Sequence, residues 1–229
     1  MTSLTTLADK LGSDKGTTSI AHGYTKLYEL LFFPYKHQEI RLLEMGLLRG
    51  GPEVKGGTAD RSTDSVPSVE MWLEYFDKAH IFGLDISDFS WFEHPRFTFI
   101  QCDMDARENI RKMAKDFDAP LDIMIDDASH ASHHQQMALV ELWPHLKEGG
   151  IYIIEDLHWQ PDTYEKPDYP KTGGMFMEYN RTGVLEHSDP SMAKALKKIE
   201  KEMGLAYVFP DGFRHRGKAK VQAIQKLTT

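Results

Sequence analysis

Leu121-Asp122-Ile123-Met124-Ile125-Asp126-Asp127-Ala128-Ser129-His130 and Gly150-Ile151-Tyr152-Ile153-Ile154-Glu155-Asp156-Leu157 are two short apolar runs that each close on carboxylates. Apolar runs this short, without strict polar alternation and bounded by turn residues, read as strands covered on both faces of a sheet. Between them, His133–Leu146 carries helical periodicity and Gly149-Gly150 follows as a stop signal. A strand, a helix and a strand in that order form a parallel pair. Two neighbouring parallel strands end at the same edge, so Asp126, Asp127, Glu155, Asp156 and His130 are expected to converge there.

Working outward, the same alternation continues in both directions. Ile40–Glu44, His80–Leu84 and Phe97–Gln101 read as earlier strands, and Val69–Lys78 and Ala106–Phe117 as helices between or after them. Met192–Met203 reads as a late helix. Leu205–Phe209 and Ala219–Ile224 read as strands separated by Asp211-Gly212, forming an antiparallel pair at the sheet edge. Before the sheet, Leu4–Leu11 and Tyr24–Phe33 read as helices joined by the polar hinge Gly12–Thr18, the second ending before Pro34. The expected architecture is α/β with a mostly parallel sheet, as one domain over residues 1–229, with residues 1–35 as a helical arm or lid. Residues 50–67, rich in Gly, Thr, Ser and Asp, are expected to be a flexible insertion. They leave the first strand on the side where ligands bind in such sheets.

Composition narrows the function. The net charge of −8 argues against nucleic acid as the main partner. A single cysteine, Cys102, excludes an internal disulfide framework and fits a reducing compartment; it reads as a small buried residue at a strand end. Residues 1–10 carry no apolar signal core, and no run approaches the ~18 apolar residues of a membrane span, so a cytoplasmic protein without membrane insertion is expected.

Open α/β sheets bind nucleotide cofactors beyond the carboxyl ends of their strands. Glu44, Gly46, Asp85 and Asp103 stand at the ends of the first three strands. Gly46 permits close approach to the backbone, Asp85 can accept from ribose hydroxyls, Asp103 can receive an adenine amino group, and Glu44 can face a cationic amino group. NAD stays open at this point, although Glu44–Gly50 is not the dinucleotide fingerprint. Each carboxylate also has a plain alternative as a solvent-facing strand end.

The second half of the site suggests a metal. Several carboxylates in one small space repel, and a divalent cation relieves that repulsion. Oxygen donors without clustered cysteines favour Mg²⁺, with Mn²⁺ or Ca²⁺ as alternatives. Asp127, Glu155 and Asp156 are the candidate ligands. Asp126 immediately precedes Asp127 and need not point toward the same ion, so it is a candidate to hold a cofactor or orient the loop. His130 leads as general base, with His133 and His134 as rivals that the residues alone do not separate. Trp159, Tyr164 and Tyr169 are candidates for a substrate wall.

Taken together, Leu11-Gly12-Ser13-Asp14-Lys15-Gly16-Thr17, His22-Gly23-Tyr24-Thr25-Lys26-Leu27-Tyr28, Leu42-Leu43-Glu44-Met45-Gly46, Gly83-Leu84-Asp85-Ile86, Ile125–His130 and Gly150–Leu157 resemble the metal-dependent sugar O-methyltransferases. That family includes macrolide deoxysugar and related actinobacterial glycan methyltransferases. The resemblance implies a class I methyltransferase-like Rossmann fold with a seven-stranded sheet and an antiparallel C-terminal strand. It implies S-adenosylmethionine over the first strands, Mg²⁺ on Asp127, Glu155 and Asp156, and His130 as base. It adds Asp14 and Tyr24 as residues closing over cofactor or substrate, a sugar or oligosaccharide acceptor, a place in glycan or polysaccharide biosynthesis, and a homodimer or larger homo-oligomer. The long 50–67 segment and the glycine-poor turn after Glu44 depart from the family pattern. A catechol acceptor, an iron-dependent hydroxylase and a non-enzymatic nucleotide-binding regulator remain the competing readings.

Overall fold

A computed structural model describes residues 2–19, 22–210 and 219–228. The elements in chain order are α1 (Leu4–Leu11), α2 (Thr25–Phe32), β1 (Arg41–Met45), α3 (Pro67–Tyr75), β2 (His80–Asp85), β3 (Phe97–Gln101), α4 (Arg107–Ala114), β4 (Leu121–Asp126), α5 (Ser132–Leu142), β5 (Leu146–Ile154), α6 (Thr172–Thr182), α7 (Pro190–Glu202), β6 (Met203–Pro210) and β7 (Ala219–Lys226). The strands form one seven-stranded sheet in the order β3-β2-β1-β4-β5-β7-β6. β1 to β5 pair in parallel, and β7 runs antiparallel between β5 and β6. The strand order reverses at β1 and β4, which opens the ligand-binding crevice of a doubly wound sheet at their carboxyl ends.

The two faces follow from the two-residue period of a strand. Leu42, Ile123, Ile125, Ile151 and Ile153 join the core beneath α1, α2 and α3, where Tyr28, Phe32, Trp72 and Phe76 pack ring against ring. Leu43, Met45, Met124, Tyr152 and Ile154 join the opposite core beneath α4 to α7. Buried Glu44 lies between Leu43 and Met45, so it faces the α1–α3 side, where Ser68 of α3 donates to its Oε2 at 2.7 Å. This alternation decides which chain segments can reach each carboxylate.

Local sequence rules account for the helix ends. Ser3 caps α1 by accepting from Thr6 N, and Gly12 ends it at φ 76°. Asp189 caps α7 by accepting from Met192 N, with Pro190 in the first turn. The expected helix His133–Leu146 is shorter than its pattern: α5 stops at Leu142, and a 3₁₀ turn spans Trp143–His145 around Pro144. β5 starts at Leu146, ahead of the expected Ile151, because Leu146 pairs with Leu121 across a register shift. Gly149 and Gly150 therefore lie inside a strand irregularity. The Asp211-Gly212 turn lies outside the described residues. Cys102 is buried at the end of β3, and burial pushes its thiol up to about 11, away from thiolate chemistry at neutral pH. No described helix is long and apolar enough to cross a membrane.

Candidate active site

Backbone hydrogen bonds continue past the strands and level their carboxyl ends. Asp127 N donates to Met45 O and Glu155 N to Asp126 O, each at 2.9 Å, and Gly46 N donates to Leu84 O at 2.7 Å. Gly46, at φ 88°, passes so close to the turn after β4 that a Cβ there would lie 2.2 Å from Asp127 O. Only glycine fits that crossing.

The acidic end is held by the N-terminal arm. Lys15 Nζ donates to Asp127 Oδ2 at 2.5 Å and Glu155 Oε1 at 2.8 Å, and stands 3.5 Å from Glu44 Oε1. Tyr28 of α2 donates to Glu155 Oε1 at 2.5 Å, and Tyr24 donates to Asp156 Oδ1. Burial alone would discharge the Lys15 ammonium, but Asp127, Glu155 and Glu44 outweigh it and hold its pKa above the ordinary value. Burial pushes the carboxyls of Asp127, Glu155 and Glu44 upward, and Lys15 only partly opposes that push. Burial also acts to raise Asp156, yet His130, His22, the Tyr24 hydroxyl and His158 together lower it.

Asp127, His130 and Asp156 each offer a ligand atom within 4.8 Å of the others. Opposed ligands of an octahedral Mg²⁺ lie about 4 Å apart, so a small inward shift of the Asp127 and Asp156 carboxylates, whose ligand atoms lie within 4.8 Å, lets them share one ion. The surroundings favour a cation. Three buried or half-buried carboxylates, Glu44, Asp127 and Glu155, share one lysine, Glu44 Oε1 and Asp126 Oδ2 make no hydrogen bond, and His130 Nδ1 is buried without one. Glu155 lies beside this group with its Oε1 given to Lys15 and Tyr28. Asp126 points to the α4–α7 side, and burial pushes it up to about 7.

His130 follows β4 in the left-handed region at φ 58°, and Asp156 follows β5 at φ 52°. Those turns bring His130 Nε2 to 3.7 Å from Asp156 Oδ2, with the Trp159 ring edge-on to the imidazole at 5.5 Å. His22 and His158 flank Asp156 at 3.9 and 3.8 Å.

A pocket opens beside the acidic end, lined by Gly46, Asp85, Asp103, Met104, Ser129 and His134 among others. Asp85 Oδ2 accepts from Leu47 N and Oδ1 from Ser87 N, both at 2.8 Å. Arg61, from the 50–67 segment, also donates to Asp85 Oδ1, to Leu48 O and to Ser87 Oγ. Of the expected cofactor residues, Gly46, Asp85 and Asp103 line this pocket. Glu44, Asp14 and Tyr24 sit instead about the carboxylate end, Asp14 as one of the charges acting on Lys15. His133 and His134 lie away from Asp156, against Asp105.

Sequence reasoning missed Lys15, Tyr28 and Arg61. Lys15 and Tyr28 fall inside the two N-terminal motifs, beside Asp14 and Tyr24. Arg61 lies in a segment without periodicity.

No family model matches the chain. Among curated proteins, it is 31% identical over 90% of its length to an 8-demethyl-8-alpha-L-rhamnosyl tetracenomycin-C 2'-O-methyltransferase of Streptomyces olivaceus. It is 37% identical over 59% of its length to the mycinamicin VI 2''-O-methyltransferase of Micromonospora griseorubida. The chain is a relative of actinobacterial sugar O-methyltransferases. The matched regions span 52% and 32% of those two proteins, so this chain corresponds to about half of their length or less. Among solved structures, the MycE methyltransferase of the mycinamycin pathway, in complex with Mg, SAH and mycinamycin VI, superposes with TM-score 0.73 at 24% identity over 99% of this chain and 55% of that one. A second crystal form of MycE with Mg and SAH gives 0.72 at 26% identity, covering 99% of this chain and 54% of that one. The fold is that of the class I methyltransferases.

Proposed function

We propose that this chain transfers a methyl group from S-adenosylmethionine to a sugar hydroxyl in a Mg²⁺-dependent reaction. The observation that carries the reading is the gathering of Asp127, His130 and Asp156 at the joined ends of β4 and β5, beside a pocket edged by Asp85 and Asp103. Relatives named as sugar O-methyltransferases support the acceptor class.

Asp127 and Asp156 are the oxygen donors for the ion, and Glu155 has its second carboxylate oxygen to add. When bound, Mg²⁺ supplies orientation of the acceptor and charge compensation for developing alkoxide character, while S-adenosylmethionine supplies the methyl group. A hard cation prefers oxygen to imidazole nitrogen, which leaves His130 free to receive a proton. His130 takes the acceptor hydroxyl proton at Nε2, and Asp156 stabilises the imidazolium that results. Lys15, Tyr24 and Tyr28 hold the carboxylates in place, so little reorganisation is needed as charge develops. Trp159 walls the imidazole on the side where an acceptor ring would stack. Asp85 and Asp103 hold the nucleoside in the adjoining pocket.

The test is an acceptor panel of deoxysugar glycosides, hexose glycosides and catechols with methyl-labelled S-adenosylmethionine. Label entering a sugar hydroxyl in Mg²⁺ supports the proposal. Label entering catechols alone reassigns the acceptor, and binding without transfer to any hydroxyl points to a regulatory protein.

A further inference from the structure

A second group of metal-ligating side chains lies outside the acidic site. The first turn of α5 buries two adjacent imidazoles, His133 and His134, against Asp105 in the loop between β3 and α4. His134 Nε2 is 3.2 Å and His133 Nε2 is 3.5 Å from the same oxygen, Asp105 Oδ1. One ligand atom from each of the three residues lies within 4.8 Å of the others.

His133 sets this group apart from an ordinary hydrogen-bonded cluster. Its side chain is 1% exposed, yet neither ring nitrogen makes a hydrogen bond. The rings of Tyr169 and Tyr164 stand at 5.8 and 6.2 Å and offer it their faces and edges rather than an acceptor. A buried polar group left unsatisfied is costly, and a sealed imidazole aimed at a carboxylate lacks what a cation would supply.

We propose that Asp105, His133 and His134 form a second divalent-cation site that takes Zn²⁺ or a similar borderline ion. Zinc bonds of 2.0–2.1 Å in a tetrahedron set neighbouring ligand atoms about 3.3 Å apart. The two Nε2–Oδ1 separations bracket that spacing. Ser129 Oγ lies 2.7 Å from His134 Nδ1, where it can accept that proton and leave the Nε2 lone pair for the metal. Burial lowers His134 and brings His133 down to about 4, so both rings are neutral ligands at physiological pH. Lys166 Nζ stands 3.1 Å from Asp105 Oδ1 on the open side, a half-exposed ammonium that an incoming dication displaces into water. Asp105 itself is half-exposed, which leaves an open position for a water ligand. Two imidazoles and one carboxylate select zinc over Mg²⁺, in contrast to the oxygen-rich site at Asp127. Because His134 also lines the nucleoside pocket, the ion would tie that wall to the β3–α4 loop.

The experiment is a Zn²⁺ titration of the whole chain against a competing chromophoric chelator in excess Mg²⁺, with Co²⁺ spectra as a second readout. Wild type and Asp156→Asn are expected to bind zinc and show the intense visible bands of a low-coordinate Co²⁺ complex. His133→Ala and Asp105→Asn should lose both, while Lys166→Ala keeps or tightens binding. Circular dichroism checks the fold of His133→Ala, and the half-exposed Asp105→Asn tests the site without disturbing a buried ring. Zinc retained by Asp105→Asn, zinc lost from Asp156→Asn, or no zinc bound by the wild type would each overturn the proposal. The proposal does not rest on the methyl-transfer reading, since neither readout requires turnover.

Discussion

His130 and Asp156 face each other across the ends of β4 and β5, 3.7 Å apart, and they are the two non-glycine residues with left-handed backbones among the described residues. Such a conformation costs about 1–2 kcal/mol for a residue with a Cβ. Two of them at one site indicate that the turns are held by their surroundings for the positions they give these side chains.

Replacing His130 with glycine separates strain from chemistry. The left-handed position suits glycine, so stability should hold or rise by about 1 kcal/mol. Transfer should fall by roughly 10²–10⁴-fold, the usual contribution of a general base. Denaturant midpoints and single-turnover methyl transfer measure the two effects. A clear loss of stability would mean that the ring's contact with Trp159 outweighs the strain.

Lys15 is the cation that makes the arm part of the site. Replacing it with methionine leaves Asp127, Glu155 and Glu44 facing one another without their ammonium. Loss of one partner from a buried ion cluster costs about 3–5 kcal/mol. Urea unfolding should show this loss in metal-free buffer and a smaller one in saturating Mg²⁺, because a bound cation stabilises the folded state. Equal losses in both buffers would indicate that no cation binds near these carboxylates.

Arg61 and the ribose proposed for the pocket compete for the same acceptor, Asp85 Oδ1. Arg61→Ala should therefore tighten S-adenosylhomocysteine binding, whereas Asp85→Ala should weaken it. Calorimetric titration of both variants decides the matter. Weaker binding in both would make Arg61 a support for the pocket rather than a competitor.

Asp9 of α1 secures the loop that carries Lys15. Its carboxylate accepts from Thr17 N at 2.5 Å, Thr17 Oγ1 at 2.6 Å and Thr18 N at 3.1 Å. The Thr17 bonds, foremost, lower its pKa below the ordinary 3.8. A depressed carboxyl contributes its stabilisation fully above the unfolded-state pKa and loses it as pH falls through the folded one. Below that ordinary value, stability should decline less steeply in Asp9→Asn than in wild type, and the variant should be the less stable protein at neutral pH. Parallel acid-denaturation slopes would remove Asp9 from the account.

The strand ends were readable because a carboxylate placed after a short apolar run can only lie at the sheet edge. Asp127 and Asp156 fall into that class, as do Asp85 and Asp103, and His130 follows Asp127 in the same turn. Lys15 was not readable in the same way: it meets Asp127 across 112 positions of sequence, and nothing local to Gly12–Thr18 says which strand end the ammonium reaches. The inward turn of Glu155 depends on Lys15 and Tyr28, so it was hidden with them. Arg61 lies in a stretch with neither helical nor strand period, where contacts are set by the loop's path. The early start of β5 rests on a register shift opposite Leu121, and such irregularities leave little mark on hydrophobic pattern.

The proposed chemistry requires that Asp127 and Asp156 hold one divalent ion within reach of His130. Electron paramagnetic resonance of Mn²⁺ titrated into the protein with S-adenosylhomocysteine tests it most directly. Wild type should bind the ion and release it to excess Mg²⁺, and Asp127→Asn and Asp156→Asn should each bind far more weakly while remaining folded. Wild-type affinity in both variants would contradict the account.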